Sequence, residues 1–335
     1  MVAKYRAGVP AADEVEDEVV AGGDEAERRG AQVPADAHGE RLDRWLTRLA
    51  PEFSRNHLQA LIERGCVGLD GVVQTTPAKR LKAGQRVEVE LQPTEESRAF
   101  LPQAMVLDIV HEDAHLLVVN KPAGLVVHPA AGNWSGTLMN GLLARHAAAA
   151  TLPRAGIVHR LDKDTSGLMV VGKTLAAVTA LSRQIAAREV HREYLAIAHG
   201  RIESAYRVDL PLRRDPVSRV KMAVAPAGLG KPAQTDVLPL GQAEAGGRVY
   251  SAVHCVLHTG RTHQIRVHLA QGGHPLVADA LYGGSTAYGL QRQALHAARL
   301  SLVHPVSGDE LRWQAPLPDD MAAAWRQMGA AALSG

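Results

Sequence analysis

Cysteine is scarce in this chain: Cys66 and Cys255 are the two among 335 residues. They lie far apart and in different predicted domains, which excludes a disulfide framework and a thiolate zinc site and suits a reducing cytosol. Long hydrophobic runs are missing too. None approaches the roughly 20 apolar residues that span a bilayer, and the start, MVAKYRAGVPAADEVEDEVV, lacks the apolar stretch of a signal peptide. The chain is therefore expected to be soluble and cytoplasmic, with no membrane partner. The spelling Gly-x4-Gly-Lys-Ser/Thr occurs once, at Gly167-Leu-Met-Val-Val-Gly172-Lys-Thr174, but inside an apolar run that reads as a strand and not as a phosphate-cradling loop. No Gly-x-Gly-x-x-Gly follows a strand, so no nucleotide cofactor is expected. No internal repeat is visible.

Net charge is nearly absent, at +2, but the balance is uneven. Residues 1–40 carry four Lys/Arg against ten Asp/Glu, a net of −6, which leaves +8 on the remainder. A modestly basic body fits a polyanionic partner without proving one. Residues 1–36 are almost devoid of large apolar side chains and are expected to form a disordered acidic tail.

Residues 38–92 have the content of a small module. Leu42, Trp45, Leu46 and Leu49 form one helical stripe ended by Pro51. Ser54 is placed to cap a second helix, with Leu58, Leu61 and Ile62 on its face and Gly65 at its close. Asp70-Gly71 reads as a tight hairpin turn, and Val87, Val89 and Leu91 alternate as a closing strand. Segment 41–94 holds nine basic residues against six acidic. Its ordered pattern, from Arg41-Leu-Asp-Arg44-Trp-Leu through Ser54-Arg55 and Asp70-Gly71 to Gly84-Gln-Arg-Val87, resembles the alpha-L (S-four type) RNA-binding domain. That resemblance implies RNA contacts from Arg41, Arg44, Arg55, Lys79, Arg80 and Lys82.

Residues 93–104 read as a linker. From 105 to 330, short strands are expected at 106–113, 115–122, 124–129, 168–174, 193–200, 236–240, 250–258 and 299–305, with helices at 137–147, 174–188, 262–271 and 319–330. Strands outnumber helices and mostly follow one another directly. An α+β domain with a mixed, largely antiparallel sheet is expected.

The sharpest chemical feature is His159-Arg-Leu-Asp162-Lys-Asp-Thr-Ser-Gly167, a polar loop between two apolar strand pieces. A lone loop Asp is most often a turn former. Two carboxylates among His159, Arg160 and Lys163 favour chemistry but do not choose a reaction. His254, His258, His263, His268 and His274 invite a metal, yet their spacing fits no ligand pattern and no metal site is expected.

The loop is similar to the signature of the large-subunit ribosomal RNA pseudouridine synthases. Three further stretches match that family in order: Asn120-Lys-Pro-Ala-Gly-Leu-Val-Val-His128-Pro, Arg192-Glu-Tyr194-Leu-Ala and Thr259-Gly-Arg-Thr-His-Gln-Ile-Arg266-Val-His-Leu, completed by Leu295-His-Ala297 and Leu302-Val-His-Pro305. The resemblance implies that Asp162 is the essential carboxylate, that Tyr194 lies against the target base and takes the C5 proton, and that Arg266 pairs with Asp162. Arg160 braces the space left by the extruded nucleotide, and Lys121 joins the RNA contacts. The partner implied is large-subunit ribosomal RNA or a pre-ribosomal particle, met by a monomer. No cofactor is implied, since moving uracil from N1 to C5 of the same ribose oxidises nothing. In Val277-Ala-Asp279-Ala-Leu-Tyr-Gly283 the family usually has Gly and Pro beside the Asp, a departure expected to touch only a loop. Two other functions compete: a metal-dependent phosphohydrolase using His159, Asp162 and Asp164, and a non-catalytic RNA-binding assembly factor.

Overall fold

The computed structural model describes residues 27–92, 99–226, 228–331 and 333. They form two compact units, divided after Thr94.

In the first unit, α1 (Leu42–Leu49) and α2 (Arg55–Glu63) lie on a four-stranded antiparallel sheet of β1 (Glu27–Gln32), β2 (Val67–Leu69), β3 (Val72–Gln74) and β4 (Arg86–Leu91), in the order β1-β4-β2-β3. Leu42, Trp45, Leu46, Leu58, Leu61 and Ile62 are buried as their periodicity required, while Leu49 is only partly covered. The Ser54 side chain accepts from the His57 amide, and Asp70 and Gly71 both adopt the positive φ that their hairpin turn demands.

β1 is a correction. Residues 27–36 fall in the stretch expected to be disordered, yet Glu27–Gln32 pair with all of β4, and Val33 and Ala37 are buried. Hydropathy missed the strand because a backbone ladder, helped by Arg28–Glu90 and Arg29–Glu52 ion pairs, needs few apolar side chains. The first 26 residues of the expected tail lie outside the described residues.

The second unit is built on a nine-stranded sheet. Its strands are β5 (Ile109–Glu112), β6 (Leu116–Lys121), β7 (Ser166–Gly172), β8 (His191–His199), β9 (Tyr206–Asp209), β12 (Gln234–Ala245), β13 (Arg248–Leu257), β14 (Leu295–Val303) and β15 (Glu310–Gln314), with β10 (Leu212–Arg214) and β11 (Met222–Val224) forming a separate ribbon. The order is β5-β6-β7-β14-β8-β13-β12-β9, with β15 beside β14. The β7–β14 pair is parallel and the others antiparallel, so the sheet is mixed and largely antiparallel. Alternate residues serve opposite faces. Leu117, Val119, Met169, Val171, Tyr194 and Ala196 pack toward α3 (Leu138–Arg145) and α5 (Gln264–Gln271). Their neighbours Leu116, Val118, Leu168 and Val170 pack with Leu181 of α4 (Leu175–Ala187), and Leu195 and Ile197 with α6 (Asp319–Gln327). Covering on both faces explains why these strands read as continuous apolar runs.

Two expectations fail here. Residues 124–129 are not a strand: the carbonyls of Val126 and Val127 accept from the Leu138 and Met139 amides and so cap α3. Residues 99–103 are not free linker either. Ala99 is buried, Asn140 Nδ2 donates to the carbonyls of Ala99 and Leu101, and the Gln103 amide donates to the Asn140 carbonyl. Residues 93–98 of that segment lie outside the described residues.

Burial of titratable groups sets a pH window for stability. Burial pushes His159 down to about 3 and His296 down to about 4, from an ordinary 6.5. Both are neutral in the fold, so they support it above pH 6.5, and that support is lost as pH falls toward their folded values. Burial pushes Cys255 up to about 12 from 9.0, and Tyr194 and Tyr206 up to about 12 from 10.0. Their support is complete below pH 9 and fades as pH rises toward 12. Lys121, pushed down to about 8 from 10.5 by burial, acts oppositely between those values. The unfolding midpoint is expected to hold between pH 6.5 and 8, gain from Lys121 up to about pH 9, stay level to about 10 as Lys121 offsets Cys255, and fall below 6.5 and above 10. Each buried histidine would cost about 1.4 kcal/mol per pH unit on the acid side; melting from pH 4 to 11 checks this.

Candidate active site

The Asp162 loop enters β7 at the centre of the sheet. Gly167 there sits at φ 115, and a β-carbon on it would overlap the backbone of Ala297 in β14. Only glycine lets β7 and β14 lie this close, which brings the loop beside β8, the next strand over. Tyr194 on β8 pairs with Ala297 in that register.

Arg266 arrives from α5, whose residues Gln264 to Leu269 are all buried. A surface arginine on an amphipathic helix is thereby excluded. Its Nη1 donates to Asp162 Oδ2 at 3.0 Å, while Nε and Nη2 donate to the two oxygens of Asp279 at 2.8 and 2.9 Å. Burial opposes the guanidinium charge, but the two carboxylates, Asp279 foremost, outweigh it and raise its pKa. Tyr282 completes the cage, its ring centroid 5.1 Å from the guanidinium carbon and its hydroxyl 2.8 Å from His263 Nδ1.

Tyr194, Asp162 and Arg160 together line a cavity of about 350 Å³, and Asp162, Arg160 and Arg266 a further depression of about 530 Å³. Burial chiefly, with a smaller push from Asp162, holds the Tyr194 phenol protonated at neutral pH.

Asp279 and Tyr282 were not singled out from the sequence. The departure at Asp279 is therefore not peripheral, since this carboxylate is the bidentate partner of Arg266. Ala278 adopts φ 58, a conformation glycine takes without strain. The one available signal was the match of this segment to the family pattern.

Lys121 is a further correction. It is fully buried, and its Nζ donates to the carbonyls of Pro122, Leu125 and Lys163. It ties the Asn120 turn to the Asp162 loop and does not face RNA. The other basic residues divide. Arg41 and Arg55 both ion-pair with the buried Asp43, whose carboxyl is held well below its usual range first by the Arg41 hydrogen bond. Arg44, Lys79, Arg80 and Lys82 are exposed, and the Lys79 and Pro77 carbonyls accept from the first amides of α1, which sets that loop beside Arg41.

The histidines have other employment. His254 bonds Glu193, His258 bonds Asp236, and His268 bonds Thr235 and the Leu210 carbonyl. Nε2 of His159 accepts from the Val170 amide. Among the described residues no group of three metal-ligating side chains converges.

A model of the RNA pseudouridylate synthase family matches residues 115–271, and one of the S4 domain matches residues 40–87. The chain belongs to the RNA pseudouridylate synthases, isomerases of uridine in RNA, and carries an S4 domain ahead of the catalytic unit. Among relatives, it is 47% identical over 321 residues to ribosomal large subunit pseudouridine synthase D of Neisseria meningitidis serogroup B, covering 92% of this chain and 84% of that protein. It is 48% identical over 299 residues to the protein of that name from Nitrosomonas europaea, covering 87% and 85%. Among solved structures, human RNA pseudouridylate synthase domain containing 1 aligns with a TM-score of 0.52 at 29% identity, over 65% of this chain and 87% of that one.

Proposed function

We propose that the chain isomerises uridines of large-subunit ribosomal RNA, with Asp162, Tyr194 and Arg266 as the reacting set. The carrying observation is the 3.0 Å ion pair between Arg266 and Asp162 at the mouth of the Tyr194-lined cavity. The ribose of an extruded uridine lies over Asp162, whose carboxylate either attacks C1′ or removes the C2′ proton. The C1′–N1 bond breaks, the freed uracil turns against the Tyr194 ring, and C5 bonds to C1′. Bonding of C5 to C1′ releases Asp162 from the ribose, or follows return of the C2′ proton from Asp162. The protonated Tyr194 phenol passes its own proton to solvent as it accepts the C5 proton, and N1 takes up a proton, so the isomerisation balances. Arg266 stays protonated throughout and holds Asp162 in place. Unstacking costs a few kcal/mol, and stacking on an aromatic face returns about 1–3 kcal/mol. Arg160, exposed at the cavity, takes up the space the base vacates.

An internal transfer balances without oxidant, metal or nucleotide, so the reaction needs no cofactor; our reading places the enzyme in the cytoplasm as a monomer. The ribosomal target rests on the names of the relatives. Mapping pseudouridines in ribosomal RNA from cells with and without the gene tests it; loss of specific large-subunit sites is expected, and an unchanged map would refute it.

The S4 domain supplies salt-sensitive, sequence-tolerant affinity through Arg41, Arg44, Arg55, Lys79, Arg80 and Lys82. Replacing the exposed Arg44, Lys79 and Lys82 by alanine is expected to lower the slope of log affinity against log salt by about 2 to 3. Equilibrium binding over a KCl series measures it.

A further inference from the structure

Arg192 lies on β8 two residues before Tyr194, so strand alternation sends both side chains to the same face. The residue is 6% exposed and lines the 350 Å³ cavity. Its buried Nε has no hydrogen-bond partner, and among the described residues its guanidinium joins no ion pair. A guanidinium at this depth is ordinarily satisfied, as Arg266 is by two carboxylates, because an unpaired buried charge is costly.

The surroundings name the missing partner. Besides Arg192 the cavity is lined by Arg154, Arg160, Arg188 and Arg261, against one carboxylate, Asp162. Those four are exposed and Arg192 is the buried member. The end of its side chain rests on Gly260, where a β-carbon would overlap Nη1. An anion entering the cavity meets a planar donor fork at the inner wall, suited to two phosphate oxygens at once.

We propose that Arg192 is the inner anchor of a phosphate subsite, which takes a backbone phosphate of the RNA next to the nucleotide facing Asp162. This rests on the isomerase function proposed above and adds how the ribose is registered. Asp162 and the subsite share one cavity, and the phosphodiester flanking the target nucleotide is the anion that substrate delivers there. A phosphate contact positions the strand without reading its sequence. Arg192 is therefore a substrate-binding residue whose loss falls on affinity before chemistry.

The test uses full-length Arg192→Met, Arg192→Lys and Gly260→Ala, each alone and combined with Asp162→Asn, with a large-subunit rRNA transcript as probe. Gly260 is outside the left-handed region, so its new methyl pushes only against the flexible tip of Arg192. Arg192→Met and Gly260→Ala should each raise KM about tenfold, with kcat changed less than about threefold. The slope of log affinity against log salt should fall by about 0.7 to 0.9 in Arg192→Met, and Arg192→Lys should restore most of it. The Asp162→Asn background reads binding without turnover, so a wild type that forms no pseudouridine sinks the isomerase function alone. Unchanged KM and slope in both Arg192→Met and Gly260→Ala overturn the subsite, as does a fall in kcat with KM and slope untouched. If Arg192→Met does not fold, Gly260→Ala decides. Competition by inorganic phosphate with an unaltered RNA slope would assign the cavity to a free anion and equally overturn the proposal.

Discussion

Asparagine at position 162 is expected to cut pseudouridine formation by on the order of 10⁴-fold or more, with RNA affinity within about threefold of wild type. The substitution preserves shape and one hydrogen-bond acceptor for Arg266, so the 3.0 Å contact can survive. What disappears is the negative charge that, in the proposed mechanism, attacks the ribose or takes its proton, and an amide does neither. On the same proposal affinity comes from the S4 domain and the arginines around the cavity, none of which depends on Asp162 for position. Single-turnover assays on the rRNA transcript, with binding measured alongside, separate the two quantities. Turnover retained within tenfold would remove Asp162 from the mechanism.

Alanine at Asp279 is expected to be the most damaging change for stability. Asp279 is 1% exposed and holds Arg266 through two hydrogen bonds. Removing it leaves a buried guanidinium with one carboxylate instead of two, a loss of about 3–5 kcal/mol. For a unit of this size that lowers Tm by on the order of 10 °C. Turnover should fall as well, even when assayed far below Tm, because a guanidinium freed on one side can swing and carry Asp162 with it. A variant with unchanged Tm would mean that Asp162 and Tyr282 suffice to hold Arg266.

Both predictions concern one guanidinium, and only half of its environment was legible in the chain. Asp162, Tyr194 and Arg266 were recognisable because each stands in a run of residues whose order matches the family. Asp279 lacked comparable notice, since a carboxylate flanked by alanines looks like any loop residue until the fold carries it 13 positions back onto α5. Lys121 was misassigned for a related reason. The resemblance implied an RNA contact for it, but its burial depends on three carbonyls from two separate loops, which no local pattern registers. β1 was missed because its stabilisation lies in backbone pairing, which side-chain hydropathy does not register.

Local patterns alone determined the helices, the Asp70-Gly71 turn, the α+β class and the presence of a polar loop around Asp162, because periodicity, capping and turn preferences act between residues a few positions apart. Tertiary structure alone decided which charges became partners. Arg266 lies between Asp162 and Asp279, Arg41 and Arg55 converge on Asp43, and Arg192, among the described residues, joins no ion pair at the cavity wall. Charge pairing depends on distance and burial in space, and residues as far apart in the chain as Asp162 and Arg266 have neither until the sheet assembles.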